Sequence, residues 1–417
     1  MWQPVNEAFG AYEGFKDGPE DYVRMFAREI LDSMPAGSIY FGGTDPGRWL
    51  VTAFCKSHAK GDPCFVITQN ALADGLYLKY LRAMYGAPLR MPTDQDSQKA
   101  FHDYVSDAGI RLKEGKLKPG ENVTDHDGHV SVSGQVAVMQ INARLAQTIF
   151  AANPDHEFFV EESFPLDWMY PHLSPNGLIM KINRKAPVDL SVEMLQKDRE
   201  YWSRLADRAL GQWLTAETPV KQVCDFAEAV FKNKELGDYQ VDERFVRNAY
   251  ACKTYSKLRS SIAGVYAWRY KETKSPEEKK RLARAADFAF RQAFALCPYS
   301  PEAVFRYTNW LVGQGRRQDA LLVARTGETL DPRNRNFSDL VTNLEGEKIL
   351  EGASIFGSNV SNCDGPPCMK RKMTERSLRG SFRPPAAART ENKSASVRPP
   401  NATPPARRNW RRCQRPA

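Results

Sequence analysis

Apolar positions in the first half of the chain alternate between two periods. Over residues 21–33 they recur at Tyr22, Val23, Met25, Phe26, Ile30 and Leu31, the spacing of one helix face. A short apolar run, 38–41, stops at Gly42-Gly43 and reads as a strand. Residues 49–58 read as a helix, 63–68 as a second strand, and a further helix runs from near Asn70 to Met84 or Tyr85, stopped by Gly86. This order predicts parallel strands joined by helical crossovers. The pattern then predicts a helix over 94–112, a β-hairpin over 122–132 around Asp127-Gly128, and a helix over 136–150. Strands follow over 157–160 and over 178–182, the latter entered through Pro175-Asn176-Gly177.

From Val188 strand signals vanish. Helical periods cover 190–211, 220–236, 245–270 with a break near Lys253, and 279–297 behind the helix start Ser275-Pro276. Pro298 and Pro332 end two similar segments 34 residues apart, the tetratricopeptide length. Small residues stand at Ala286, Ala293 and Ala320, Gly315 falls in the turn between helices, and Phe290, Tyr307, Trp310 and Leu311 are apolar anchors. Gly327 and Ala324 depart from the repeat pattern. Residues 334–350 read as a capping helix. Stacked helix pairs present a concave groove to a peptide or a neighbouring domain, which makes Arg306, Tyr307 and Trp310 candidate protein contacts. The alternative is a helical cap packed on the first region.

The expected architecture is therefore an α/β domain with a mostly parallel sheet (1–187), an all-α tetratricopeptide-like region (188–350, repeats about 265–332), and a tail (351–417). At 417 residues, 42% hydrophobic and 26% charged, the chain excludes fibrous and wholly disordered classes. It contains no apolar run of about 18 residues, and its first residues lack the basic and apolar regions of a signal peptide. The net charge of +9 is concentrated in the tail, with 14 basic and 4 acidic residues against 45 and 46 in the remainder. That tail is rich in Pro and Arg and is expected to be disordered. It is either a solvated extension or an arm attracted to nucleic acid or another anionic surface. The eight cysteines form no CxxC pair, so neither a zinc site nor a disulfide scaffold is expected. Cys224 and Cys297 read as core residues.

Candidate chemistry gathers on the loop Gly42-Gly43-Thr44-Asp45-Pro46-Gly47-Arg48. Its glycines admit a close ligand, Arg48 suits a phosphate, and Asp45 suits a hydroxyl or a metal. It matches neither GxGxxG nor the P-loop pattern, and a capped strand-to-helix turn is the plainer alternative. In a parallel sheet this loop shares a rim with Asn70 and, at a strand end, Glu161. Glu161 and Glu162 are adjacent on a strand and point to opposite faces, which suits no acid/base pair. Trp168 and Tyr170 suit either a sugar platform or a core, and His172, beside two prolines, reads as structural. The cluster Asp125, His126, Asp127 and His129 resembles metal ligands, but a tight hairpin spreads such side chains apart. No metal and no cofactor are implied.

Several segments carry a resemblance to a known family. They are Ser38-Ile39-Tyr40-Phe41-Gly42-Gly43-Thr44-Asp45-Pro46-Gly47-Arg48, Thr68-Gln69-Asn70-Ala71-Leu72-Ala73-Asp74, Val160-Glu161-Glu162-Ser163-Phe164-Pro165-Leu166-Asp167-Trp168-Met169-Tyr170-Pro171 and Phe290-Arg291-Gln292-Ala293-Phe294-Ala295-Leu296-Cys297-Pro298. Together they resemble the soluble C-terminal part of the bacterial domain of unknown function 2723 family, membrane proteins similar to the protein O-mannosyltransferases of the GT-C class. The resemblance spans residues 15–350. It implies an extracytoplasmic position on a bacterial membrane, where a cytoplasmic one is otherwise expected. It also implies a polytopic membrane partner and a lipid-linked sugar pathway. It supplies no catalytic residue, because those of GT-C enzymes lie in the helical bundle that these segments do not resemble. The expected function is a non-catalytic binding or assembly module. The alternatives are a glycosyltransferase-related or nucleotide-sugar-binding enzyme using Asp45, Arg48, Asn70 and Glu161, and polyanion binding through the tail.

Overall fold

A computed structural model of the chain describes residues 2–17, 21–43, 46–162 and 165–346. Thr44, Asp45 and the expected tail, 351–417, lie outside the described residues. Helix α1 (Trp2–Asp17), which no apolar period announces, precedes α2 (Asp21–Asp32). The buried face of α2 is Tyr22, Val23, Phe26, Ala27, Ile30 and Leu31; of the predicted positions Met25 is only partly buried. Strand β1 (Ser38–Gly42) is followed by α3 (Pro46–Phe54), which starts and ends earlier than its sequence pattern suggests. Strand β2 (Cys64–Thr68) runs into a short 3-10 turn, Gln69–Ala71. Only then does α4 (Gly75–Tyr85) begin, because Asp74 caps it by accepting from Leu76 N at 2.8 Å.

Helix α5 (Asp94–Lys113) leads to the hairpin β3 (Asn122–His126) and β4 (His129–Ser133), and α6 (Gly134–Ala152) returns. Asp127 and Gly128, with φ of 53° and 83°, make the tight turn that the Asp-Gly pair predicts. Strand β5 (Phe158–Glu161) is followed by β6 (Leu173–Asn176) and β7 (Ile179–Ile182). The sheet order is β2-β1-β5-β7-β6. Strand β1 pairs in parallel with both β2 and β5, while β7 pairs antiparallel with both β5 and β6.

The sheet is therefore mixed, which corrects the expectation of a mostly parallel one. A parallel neighbour needs a long crossover, and the stretch from β5 to β6 supplies only a 3-10 turn, Asp167–His172. A tight turn at Gly177 (φ 64°) then folds β7 back on β6. Strands β1, β2 and β5 are buried along their whole length, as continuous apolar runs require in a covered sheet. Their register sets Gly42 opposite both Thr68 and Glu161, so three carboxyl ends lie side by side.

The β3–β4 hairpin packs on α5 and α6 around Tyr104, Ala108, Val123 and Ala137. Glu121, just before β3, is buried and accepts from Tyr104 OH at 2.8 Å, from Lys118 N at 2.8 Å and from the Arg111 guanidinium. Burial raises its pKa, but the Arg111, Lys118 and Tyr104 donors outweigh burial and the net shift is downward. A carboxyl whose pKa falls on folding contributes stability above its unfolded range, and that contribution is lost as pH drops through the folded value. Hydrogen exchange should therefore show the hairpin amides losing protection on acidification. Glu121→Gln should flatten that dependence, and an unchanged acid limb in the variant would refute this account.

Helix α7 (Val192–Leu210) opens the helical region, and α8 (Val220–Ala227) continues through a π-helical turn, Glu228–Asn233. Next come α9 (Glu243–Val246), α10 (Ala249–Glu272), α11 (Pro276–Leu296), α12 (Pro301–Gly313), α13 (Arg317–Leu330) and α14 (Arg335–Glu345). The break expected near Lys253 falls instead at Arg247-Asn248, where the Asn248 side chain caps α10 by accepting from Ala251 N at 3.0 Å. Helix α10 is buried on nearly every side, packed against α2, the β6–β7 hairpin, α11 and α12. The connection at 187–188 joins β7 to α7, and one apolar core runs across it from Tyr22 to Phe337. Among the described residues no helix is long and apolar enough to cross a membrane.

Candidate functional site

The rim formed by Gly42, Thr68 and Glu161 is where the sequence places its chemistry, and two buried ion pairs occupy it. The first joins α3 to α1. Arg48 lies in the first turn of α3, and its aliphatic stem crosses Gly42 so closely that a Cβ there would sit 2.2 Å from Arg48 Cγ. The glycine makes room for this arginine. Arg48 Nη2 donates to Glu7 Oε1 at 2.6 Å. The same oxygen accepts from Thr68 Oγ1 and from Tyr77 OH, each at 2.7 Å. Thr68 N in turn donates to Tyr77 OH at 2.9 Å, and Gln3 Nε2 reaches Thr68 Oγ1 at 3.4 Å.

The arrangement is sealed. Arg48 is 0% exposed, and Gln3 and Glu7 are buried with it. Helix α1 comes this close because Gly10 meets the Trp49 ring, where a Cβ would stand 2.1 Å from Cδ2. Burial alone would lower the Arg48 pKa, but the Glu7 carboxylate outweighs it and the net shift is upward, so the guanidinium stays charged. Burial, and next the charge of Glu7, push the Tyr77 hydroxyl up, so it keeps its proton and donates. Among the described residues Arg48 Nε and Nη1 have no hydrogen-bond partner.

The second pair joins β5 to α10. Lys257 Nζ lies 2.6 Å from Glu161 Oε1, and Tyr40 OH stands 3.5 Å from Glu161 Oε2. Glu162 is half-buried and turns elsewhere: its carboxylate accepts from Asn70 Nδ2 at 3.4 Å and its carbonyl from Ser261 Oγ at 2.5 Å. The adjacent glutamates thus separate, as strand geometry predicts. Asn142 holds the turn that carries Asn70, donating to Asn70 O at 2.9 Å and accepting from Ala73 N at 2.7 Å.

Of the proposed rim residues, then, Arg48 binds Glu7, Glu161 binds Lys257, and Asn70 binds Glu162. Gly43 follows β1 and is buried, Gly47 lies in the first turn of α3, and Thr44 and Asp45 lie outside the described residues. Arg48 serves an internal carboxylate rather than an open anion site. Glu7, Tyr77 and Lys257 escaped sequence reasoning. A Gln3, Glu7, Gly10 face at helical spacing was the available signal for the first, but a polar inward face carries no apolar period.

The other candidates are spent on packing. Tyr170 is buried with its ring 5.7 Å from that of Trp268, and Trp168 packs on Phe150 and His172. His172 Nδ1 lies 2.7 Å from Asn183 O, a strand-end contact. In the hairpin, Asp125 accepts from Gly128 N at 2.9 Å while His126, Asp127 and His129 are exposed. Among the described residues no group of three or more His, Cys, Asp and Glu is placed to hold a metal. Tyr307 is 0% exposed and stacks on Phe290, and Trp310 packs on Tyr270 and donates to Asp287 Oδ1 at 3.3 Å. Arg306 pairs with Glu302 at 3.2 Å and lies against Gly264, so α12 can approach α10 closely. These three side chains contribute to the packing between the helical layers. Comparison of the chain with protein-family models, with curated proteins and with solved structures found no match.

Proposed function

We propose that this chain is a non-catalytic binding and assembly module, related to the soluble extracytoplasmic part of the domain of unknown function 2723 membrane proteins. The observation that carries the reading is the internal use of the rim: Arg48 and Glu161 are buried in ion pairs with Glu7 and Lys257. A transferase needs charged groups that meet a substrate, and these two meet the chain's own helices. On this reading the end of α10 with α11, and α12 with α13, are two tetratricopeptide-like pairs, and α14 is the capping helix. Their consecutive packing supports it, as do the fully buried small residues Ala286, Ala293 and Ala320. The partner is a polytopic membrane protein of a lipid-linked sugar pathway.

Affinity capture from detergent-solubilised bacterial membranes, followed by mass spectrometry, tests the assembly role. A parallel assay offers nucleotide-linked and lipid-linked sugar donors to the purified chain. The expected result is one polytopic partner in near-equal amount and no donor turnover. Recovery of soluble proteins alone, or turnover by the chain by itself, would overturn the reading.

A further inference from the structure

We propose that Cys55 and Cys64 are a redox pair that closes into a reversible disulfide between the end of α3 and the start of β2. Their sulfurs stand 3.9 Å apart, nine positions apart in sequence. The chain between them is already folded back on itself. Cys55 N still bonds Val51 O at 3.1 Å, which fixes it at the end of α3. Ser57 and Asp62 then exchange backbone hydrogen bonds of 2.9 and 3.0 Å, and Gly61 (φ 67°) completes the turn. This closed turn delivers Cys64, the first residue of β2, to the side of Cys55. A disulfide requires an S–S distance of about 2 Å, and side-chain rotation from van der Waals contact supplies the approach.

The two thiols divide the work. Cys55 is half-buried and meets solvent, while Cys64 is fully buried. The hydrogen bond with Cys55 and then burial hold the Cys64 thiol well above the usual range, so it stays protonated in the reduced chain. Cys55, the more accessible of the two sulfurs, is therefore the one that attacks first. The oxidant is a small-molecule disulfide. Cys55 sulfur bonds to one of its sulfurs, and the other leaves as a thiolate that takes up a proton. Cys64 then loses its proton and attacks the Cys55 sulfur, expelling the second small thiol. Two protein thiols are oxidised to one disulfide, and one small disulfide is reduced to two thiols. The bond ties the helix that carries Arg48 to the strand that carries Thr68, from the ends opposite the rim.

The full chain, purified reduced and then equilibrated with glutathione disulfide, tests this. Free thiols are blocked without reduction and the digest is mapped by mass spectrometry. The expected result is a Cys55–Cys64 cross-linked peptide that reducing agent releases, together with a higher melting temperature for the oxidised chain than for the reduced one. Cys55→Ser should abolish both the cross-link and the melting difference. Cys64→Ala should leave Cys55 carrying one glutathione, the stalled mixed disulfide. Capture of that adduct does not depend on the melting behaviour of either variant. Two alkylatable thiols remaining at these positions in the folded wild-type chain, or Cys55 joined to a different cysteine, would overturn the proposal.

Discussion

Arg48→Ala should destabilise the folded chain by about 3–5 kcal/mol, the cost of removing one member of a buried ion pair. Arg48 and Glu7 side chains are 0% and 7% exposed, so solvent screens neither. Without the guanidinium, the Glu7 carboxylate keeps, among the described residues, the Thr68 and Tyr77 hydroxyls, in a site closed by α1. The loss is therefore mostly the penalty of an uncompensated charge. Replacing both partners removes that penalty. The double variant Glu7→Leu with Arg48→Met should consequently be more stable than Arg48→Ala, despite carrying one more substitution. Urea unfolding of the wild type, Glu7→Leu, Arg48→Met and the double variant measures the coupling. Additive losses would mean that the two side chains do not act as a pair.

Arg259→Met should cost a similar amount, about 3–5 kcal/mol by the same buried-charge argument. Arg259 belongs to α10 and joins three helices. Its Nη1 donates to Asp198 Oδ2 of α7 at 2.7 Å and its Nε to Gln292 Oε1 of α11 at 2.8 Å. The guanidinium also lies 5.1 Å from the centre of the Trp202 ring. Arg259 and Asp198 side chains are 2% and 3% exposed, so the stranded aspartate would have no water to turn to. Arg259→Lys should recover only part of the loss. An ammonium is a single point charge and cannot reproduce the planar fork that serves a carboxylate, an amide and an indole face together. Denaturant unfolding followed by circular dichroism measures the loss in each variant. Full recovery by lysine would show that charge alone, not the fork, holds the three helices.

The two rim ion pairs, Arg48–Glu7 and Lys257–Glu161, also explain how far the candidate site could be read in advance. Gly42 and Arg48 were legible as a pair of unusual residues at a strand-to-helix turn. Their roles were not, because Glu7 is 41 positions away from Arg48 and Lys257 is 96 from Glu161. A loop that looks built for a foreign anion has the same local sequence as one built for the chain's own carboxylate. The missed elements follow the same logic. Helix α1 sets Gln3, Glu7 and Gly10 inward while Val5, Phe9 and Tyr12 remain about half exposed or more, which inverts the pattern that marks a helix on a core. Strand β6 contains Pro175, tolerated because β6 is the sheet edge, where a missing N–H breaks no ladder bond.

The residues alone determine which stretches of this chain are helix and which are strand wherever a repeating apolar face, a cap or an Asp-Gly turn acts over a few positions. Such signals are local because they arise from backbone sterics and from the burial of one face. Tertiary structure alone decided that half the sheet pairings run antiparallel, that one core spans both regions, and that Arg48 and Glu161 pair with the chain's own side chains. Each of those depends on which distant side chain satisfies a buried charge or hydrogen-bonding edge, and no spacing along the chain encodes that choice.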